Sequence, residues 1–134
     1  MSLLKTETAP IRSDTDVVLV RQQVRAWAVE LGFGLVDQTK IVTAASELAR
    51  NTLTYGMGGV MTMEQLENGG RQGLRLSFID HGPGIPDLEL ALKDGWTSGS
   101  GLGMGLSGAR RLVNDFSIES RVGEGTRVTI VRWK

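Results

Sequence analysis

The sequence predicts an α/β protein of the α+β two-layer kind: a mostly antiparallel sheet covered by helices on one face. Three observations lead there. Two long early segments repeat apolar residues at helical spacing. Two later pairs of short segments are each joined by a glycine-rich turn. Strands and helices do not alternate as parallel βαβ units require. The 134 residues suffice for one hydrophobic core and are read as one domain over 1–134, with no internal repeat and no linker.

The elements follow in order. A short extended start with a strand near Ile11–Ser13 precedes a helix capped by Ser13 or Asp14. Val17, Val20, Val24, Trp27 and Leu31 form its apolar stripe, and Gly32 or Gly34 ends it. A second helix runs from about Val36 to Tyr55, with Ile41, Ala45, Leu48, Thr52 and Tyr55 on one side and Gly56, Gly58 and Gly59 as its stop. Val60–Leu66 and Gly73–Asp80 read as strands joined by NGGR; Leu74, Leu76 and Phe78 alternate with Arg75 and Ser77, as in a sheet with one buried face. HGPGIPD is a loop, because its prolines and glycines permit little else. A short helix is expected over Asp87–Lys93. A further helix from about Gly103 to Phe116 presents Leu106, Ala109, Val113 and Phe116. Phe116–Arg121 and Thr126–Trp133 close the chain as strands linked by VGEG.

Composition narrows the chemistry. Fifteen basic residues balance fifteen acidic ones, so no global field draws in nucleic acid or anionic lipid. The absence of cysteine excludes a disulfide scaffold, thiol catalysis and cysteine–zinc sites, and one histidine, His81, excludes a multi-histidine metal site. No apolar run reaches membrane-spanning length, and MSLLKTETAP lacks a signal-peptide core, so a cytoplasmic protein without membrane or nucleic-acid partners is expected. The 18 glycines are the anomaly, since an interior glycine costs about 1 kcal/mol relative to alanine in a helix.

The densest glycine cluster is GSGLGMGLSG. Loop sequence, not a strand, precedes it, which disfavours a dinucleotide fingerprint. The chain has no Gly-Lys-Ser/Thr triplet for a Walker loop and no eukaryote-type kinase motifs. A glycine-rich run opening a helix still suits phosphate oxygens, which approach bare backbone N–H groups there; taken alone, the run also reads as a flexible connector. Two other stretches bear on it. SELARNTLTYG sets Glu47 and Asn51 four residues apart, on one helical face, and DHGPGIP places Asp80 where an apolar strand becomes a loop.

In order, E-x-x-x-N at Glu47 and Asn51, D-x-G-x-G at Asp80, Gly82 and Gly84, and G-x-G-x-G at Gly101, Gly103 and Gly105 resemble the N, G1 and G2 boxes of the GHKL ATPase and kinase superfamily. Its ATP site is the Bergerat fold, and it includes gyrase, Hsp90, MutL and histidine kinases. The boxes span residues 47–105. Within it, SELARN, DHGPGIPD, GLGMGLSGARRL and GEGTRVTIVRW are similar to the RsbT-type switch serine/threonine kinases, an anti-sigma-regulatory-factor kinase family of stressosome-type signalling. A chain of this length leaves no room for a transducer domain or a phosphoacceptor bundle, so a bare kinase domain is expected.

The resemblance implies roles. Asp80 accepts a hydrogen bond from the adenine exocyclic amine, worth ~1.5–3 kcal/mol for a charged acceptor; guanine presents a carbonyl oxygen that a carboxylate repels. Asn51 binds ATP through Mg²⁺ as its ligand, and Glu47 is the general base. Gly82 and Gly84 let the chain turn under the adenine. Gly101, Leu102, Gly103, Met104 and Gly105 bring backbone donors to the triphosphate, and Thr97 and Ser98 lie in a lid over 93–100. Thr126 shares the adenine site. His81, Trp27 and Trp133 are read as structural, Trp96 as a lid docking contact, and Arg110 and Arg111 as solvated charge. The implied reaction is transfer from Mg-ATP to a serine or threonine of a STAS-domain antagonist, with a PP2C-type phosphatase or a cyclase as the partner activated afterwards. Two alternatives are an anti-sigma factor kinase that binds a sigma subunit and a nucleotide-gated binding module with little transfer activity.

Overall fold

The computed structural model describes residues 1–93 and 105–134. Its elements are β1 (Ser2–Ile11), α1 (Asp14–Glu30), α2 (Leu35–Thr54), β2 (Gly59–Asn68), β3 (Arg71–Asp80), α3 (Leu88–Ala91), α4 (Gly105–Arg111), β4 (Asp115–Arg121) and β5 (Gly125–Trp133). The strands form one sheet in the order β1-β2-β3-β5-β4 with every pairing antiparallel. The crossover between β3 and β4 carries α3 and α4 and leaves β5 between β3 and β4.

Register organises the core. Ala9, Met61, Phe78, Val128 and Ile118 stand opposite one another across five strands, and Met63, Leu76, Ile130 and Phe116 form the next row. These rows pack against Val17, Val20, Val24 and Trp27 of α1, Ile41, Ala45 and Leu48 of α2, and Leu106 and Ala109 of α4. Met61, Met63, Leu76 and Ile130 are fully buried, each contributing roughly 1.5–3 kcal/mol relative to exposure. The opposite face has its own small cover: Leu66, Gly73 and Trp133 share a row, and Gly73 lets the indole lie on the backbone, since a Cβ there would fall 2.5 Å from the ring.

Helix ends follow local chemistry. The Ser13 hydroxyl caps α1 by accepting the Asp16 N–H. Asp16 in turn accepts from the Arg12 side chain and then the Arg12 backbone N–H, which hold its carboxyl below the usual range. That contribution is present at neutral pH and is lost as pH falls through the lowered value. Gly34 caps α2 without a side-chain bond.

Two expectations are corrected. The first strand spans Ser2–Ile11 instead of lying near Ile11–Ser13; only Ala9 and Ile11 along it are buried, so an exposed edge strand left no alternation to read. The last helix ends at Arg111, and Phe116 belongs to β4, opposite Ile130. Val113 and Phe116 match a helical period by coincidence. The chain leaves the helix because Asn114 N–H donates to Val131 O and Arg132 Nη1 donates to Leu112 O.

The NGGR turn places Gly69 at φ +60° and Gly70 at φ +82° between the paired Asn68 and Arg71, a two-residue turn with both central residues left-handed. Gly69→Asn is therefore expected to leave stability within about 0.5 kcal/mol, whereas Gly70→Val lowers it by about 1–2 kcal/mol; urea unfolding of the two variants checks the contrast.

Candidate functional site

Where the apolar rows end, the same register continues as a polar row. Gly59, Asp80, Thr126 and Ser120 stand opposite one another on β2, β3, β5 and β4. They occupy the strand positions that, two residues earlier or later, carry Met61, Phe78, Val128 and Ile118. The sheet thus delivers a carboxylate and two hydroxyls to one end of its helix-covered face.

Above that end lies a cavity of about 330 Å³ lined by Leu48, Asn51, Thr52, Tyr55 and Gly56 of α2 and its end, Phe78, Asp80, Thr126 and Val128 of the sheet, Pro83–Pro86 of the loop, and Leu106 of α4. Apolar walls with few polar groups are the usual make-up of a small-ligand site. Asn51 and Asp80, far apart in the chain, meet here with Gly84 and Thr126. Gly82 lies behind Asp80, its N–H donating to Oδ1 at 2.9 Å. Glu47, one turn before Asn51 on α2, accepts the Gly105 N–H on Oε1 at 3.0 Å; Gly105 has φ +70°. Thr97, Ser98, Gly101, Leu102, Gly103 and Met104, together with Trp96, lie outside the described residues. His81 is exposed beside the cavity and does not line it.

Asp80 is enclosed by backbone. A Cβ on Gly56 would fall 2.4 Å from Asp80 Cγ, one on Gly125 2.2 Å from Asp80 O, and one on Gly82 2.8 Å from Gly56 O. Gly56 therefore does more than stop α2: its missing side chain is the space the carboxylate fills. With Oδ1 engaged by Gly82, Oδ2 beside Gly56 remains to accept a donor from a ligand. The loop below is pinned to the β4–β5 hairpin. Ile85 N–H donates to Ser120 Oγ at 2.7 Å, Gly123 N–H donates to Pro83 O at 2.8 Å, and Gly84, at φ +77°, sits where a Cβ would strike Arg121 O.

Reasoning from the chain missed Gly56, Tyr55, Ser120 and Gly125 as site residues. Gly125 stands next to Thr126 in GEGT, and that adjacency was the available signal. Ser120 carried none, because its place beside Thr126 depends on strand pairing.

A model of the family described as histidine kinase-, DNA gyrase B-, and HSP90-like ATPase matches residues 36–134. The chain is 46% identical over 123 residues to the serine/threonine-protein kinase RsbT of Bacillus subtilis (strain 168), covering 92% of each. It is 28% identical to an anti-sigma F factor of Thermoanaerobacter sp. (strain X514), over 84% of this chain and 82% of that one. A crystal structure of the RsbU and RsbW domains of Rv1364c from Mycobacterium tuberculosis superposes with a TM-score of 0.66 at 23% identity; it covers all of this chain, which spans 33% of that longer one. That likeness is one of fold.

The glycine enclosure yields a direct expectation. Gly56→Ala is expected to force the Asp80 carboxylate out of place, at a stability cost of about 1–3 kcal/mol; a thermal melt measures it.

Proposed function

The chain belongs to the histidine kinase-, DNA gyrase B-, and HSP90-like ATPase family, among its RsbT-type serine/threonine-protein kinases, and on that premise we propose that it is a partner-switching kinase. It transfers the γ-phosphate of Mg-ATP to a serine or threonine of a STAS-domain antagonist, and release from that antagonist frees it to activate a PP2C-type phosphatase or a cyclase. The observation that carries the reading is the meeting of Asn51 and Asp80 in one cavity, with Glu47 one helical turn away.

Position in the cavity and the motifs support the following roles. Asp80 takes the adenine amine, and Thr126 lies beside it on the neighbouring strand. Gly82 and Gly84 keep the loop close under the ring. Asn51 presents its amide at the cavity wall, one turn from the Glu47 carboxylate that meets Gly105, so the triphosphate runs from Asp80 toward Asn51, Glu47 and Gly105. Among the described residues no group of three or more His, Cys, Asp or Glu side chains forms a metal cage. That fits an ion held mainly by phosphate oxygens and water, to which Asn51 adds one neutral ligand. Mg²⁺ there would neutralise charge on the transferring phosphoryl group. Glu47 keeps one carboxylate oxygen for the acceptor hydroxyl: it orients the nucleophile and takes its proton as the new O–P bond forms and ADP leaves. By motif, Thr97 and Ser98 remain assigned to the lid and Gly101, Leu102, Gly103 and Met104 to the triphosphate; the Gly105 N–H is taken by Glu47.

A second reading, a kinase that sequesters a sigma subunit, draws on the anti-sigma F relatives; 46% identity to the RsbT kinase against 28% to the anti-sigma F factor favours the first. Among the described residues no helix is long and apolar enough to cross a membrane.

Incubation with γ-labelled ATP, Mg²⁺ and candidate STAS proteins is expected to place label on a STAS serine or threonine. Glu47→Ala should bind ATP as the parent does and lose transfer by a factor of about 10²–10⁴; full transfer in that variant removes the base. Asp80→Asn is expected to weaken ATP binding by about 1.5–3 kcal/mol and relax rejection of GTP, read by titration with both nucleotides. A sigma factor retained without label on any STAS protein would support the second reading.

A further inference from the structure

Arg132 is a charged residue on the helix-covered face of β5, opposite the buried Leu74 of β3 and two positions from the buried Ile130. Its side chain is only 15% exposed. Nη1 donates to Leu112 O at 2.9 Å, Nη2 donates to Asp37 Oδ1, and Nε is buried with no acceptor among the described residues. A half-satisfied guanidinium is a poor filling for the edge of a core. What it supplies is a bridge between two helices.

The bridge closes a frame. Leu112 O lies just past the end of α4, where helix carbonyls lack internal partners and a cation is favoured. At the start of α4 the Gly105 N–H goes to Glu47 Oε1 at 3.0 Å. Asp37 and Glu47 share one helix, about 15 Å apart along its axis at 1.5 Å per residue. α4 therefore runs back along α2, fastened to it directly at Glu47 and through Arg132 at Asp37. Its 7 residues are too few to form a helix that holds its own place. Apolar packing is non-directional, so Leu106 and Ala109 in the core hold α4 down without setting its position along α2. The bond from Asn114 N–H to Val131 O that follows ties the chain to β5; the tie to α2 at this end is made by Arg132.

We infer that Arg132 is a positioning residue for phosphoryl transfer: by fastening the end of α4 to Asp37 it fixes where α4 lies along α2, and so keeps the Gly105 N–H on the Glu47 carboxylate. The inference rests on the kinase reading above and adds to it a residue that does not line the cavity. With the tie removed, α4 is free to slide and Glu47 loses the donor that aims it. The end of the cavity built on Asp80 shares no bond with this frame and keeps its form.

The test is single-turnover transfer from saturating γ-labelled Mg-ATP to the STAS protein that the full chain labels, with ATP affinity measured by titration. Arg132→Met fills similar space without the fork. It should lower the transfer rate constant by about tenfold to a hundredfold, as misplacement of a catalytic group does. ATP affinity should stay within about threefold of the parent. In a Glu47→Ala background, Arg132→Met should lower the rate constant no further, because the two act as one unit. A merely structural role would reduce the folded fraction, and with it the amplitude of transfer, but not the rate constant of the folded molecules. An unchanged rate constant in Arg132→Met therefore overturns the inference, as does a loss of the same size in the Glu47→Ala background. Should Arg132→Met fail to fold, Asp37→Ala, at a side chain 41% exposed, is read in the same way: a lowered rate constant supports the inference and an unchanged one overturns it. Parent protein that labels no STAS protein sinks the kinase reading and the inference with it, whereas a parent that labels one while Arg132→Met transfers at the same rate sinks the inference alone.

Discussion

The carboxylate of Asp80 is held at the end of a central strand by backbone that presses on it from several sides, and this crowding governs the site. Gly56, at the end of α2, lies against Oδ2. Gly82 gives its N–H to Oδ1, and Gly125 of β5 approaches the Asp80 carbonyl too closely for any side chain. Each contact comes from a different stretch of chain, so α2, the loop after β3 and the last hairpin must all be in place before the carboxylate has its position. Glycines that are costly as chain entropy become necessary as geometry. Gly59 belongs to the same set: a Cβ there would fall 2.1 Å from Ile79 O, where β2 meets β3 beside the site.

Sheet register carries this arrangement into the rest of the fold. Because β5 lies between β3 and β4, Thr126 and Ser120 stand in line with Asp80 although they follow it by a long connection. The helical layer is tied to the same frame by two acidic side chains of α2. Glu47 accepts the N–H at the start of α4. Near the other end of α2, Asp37 pairs with Arg132, whose second nitrogen holds Leu112 O just past the end of α4. A helix too short to be stable alone is thus suspended from α2 at both ends, with Leu106 and Ala109 packed into the core.

The cavity accordingly has two poles of different construction. Around Asp80 the contacts are backbone to side chain and sheet to loop, which suits recognition of a flat ring by fixed acceptors. At Asn51 the cavity wall is a helix, and Glu47, one turn earlier outside the lining, meets the start of α4. The hydroxyl pair of Ser120 and Thr126 belongs to the fixed pole.

Much of this was legible in the chain. The antiparallel sheet covered by helices, the two long helices and the two hairpins were readable because local periodicity and turn chemistry act over a few residues. So were the three spaced motifs and the resemblance they carry. The edge strand from Ser2 escaped because it buries almost nothing on its own, and the end of the last helix was misplaced because Val113 and Phe116 happen to continue the helical spacing of Leu106 and Ala109. Residue types and spacing alone determined that a carboxylate–amide pair, a strand-end aspartate and clustered glycines belong to this protein. Only the tertiary structure decided that Gly56 makes room for Asp80, that Asn51 lines the same cavity, and that Ser120 holds Thr126. Those relations depend on which strands pair and in what register, and contacts between segments far apart in the chain leave no periodic trace within either one.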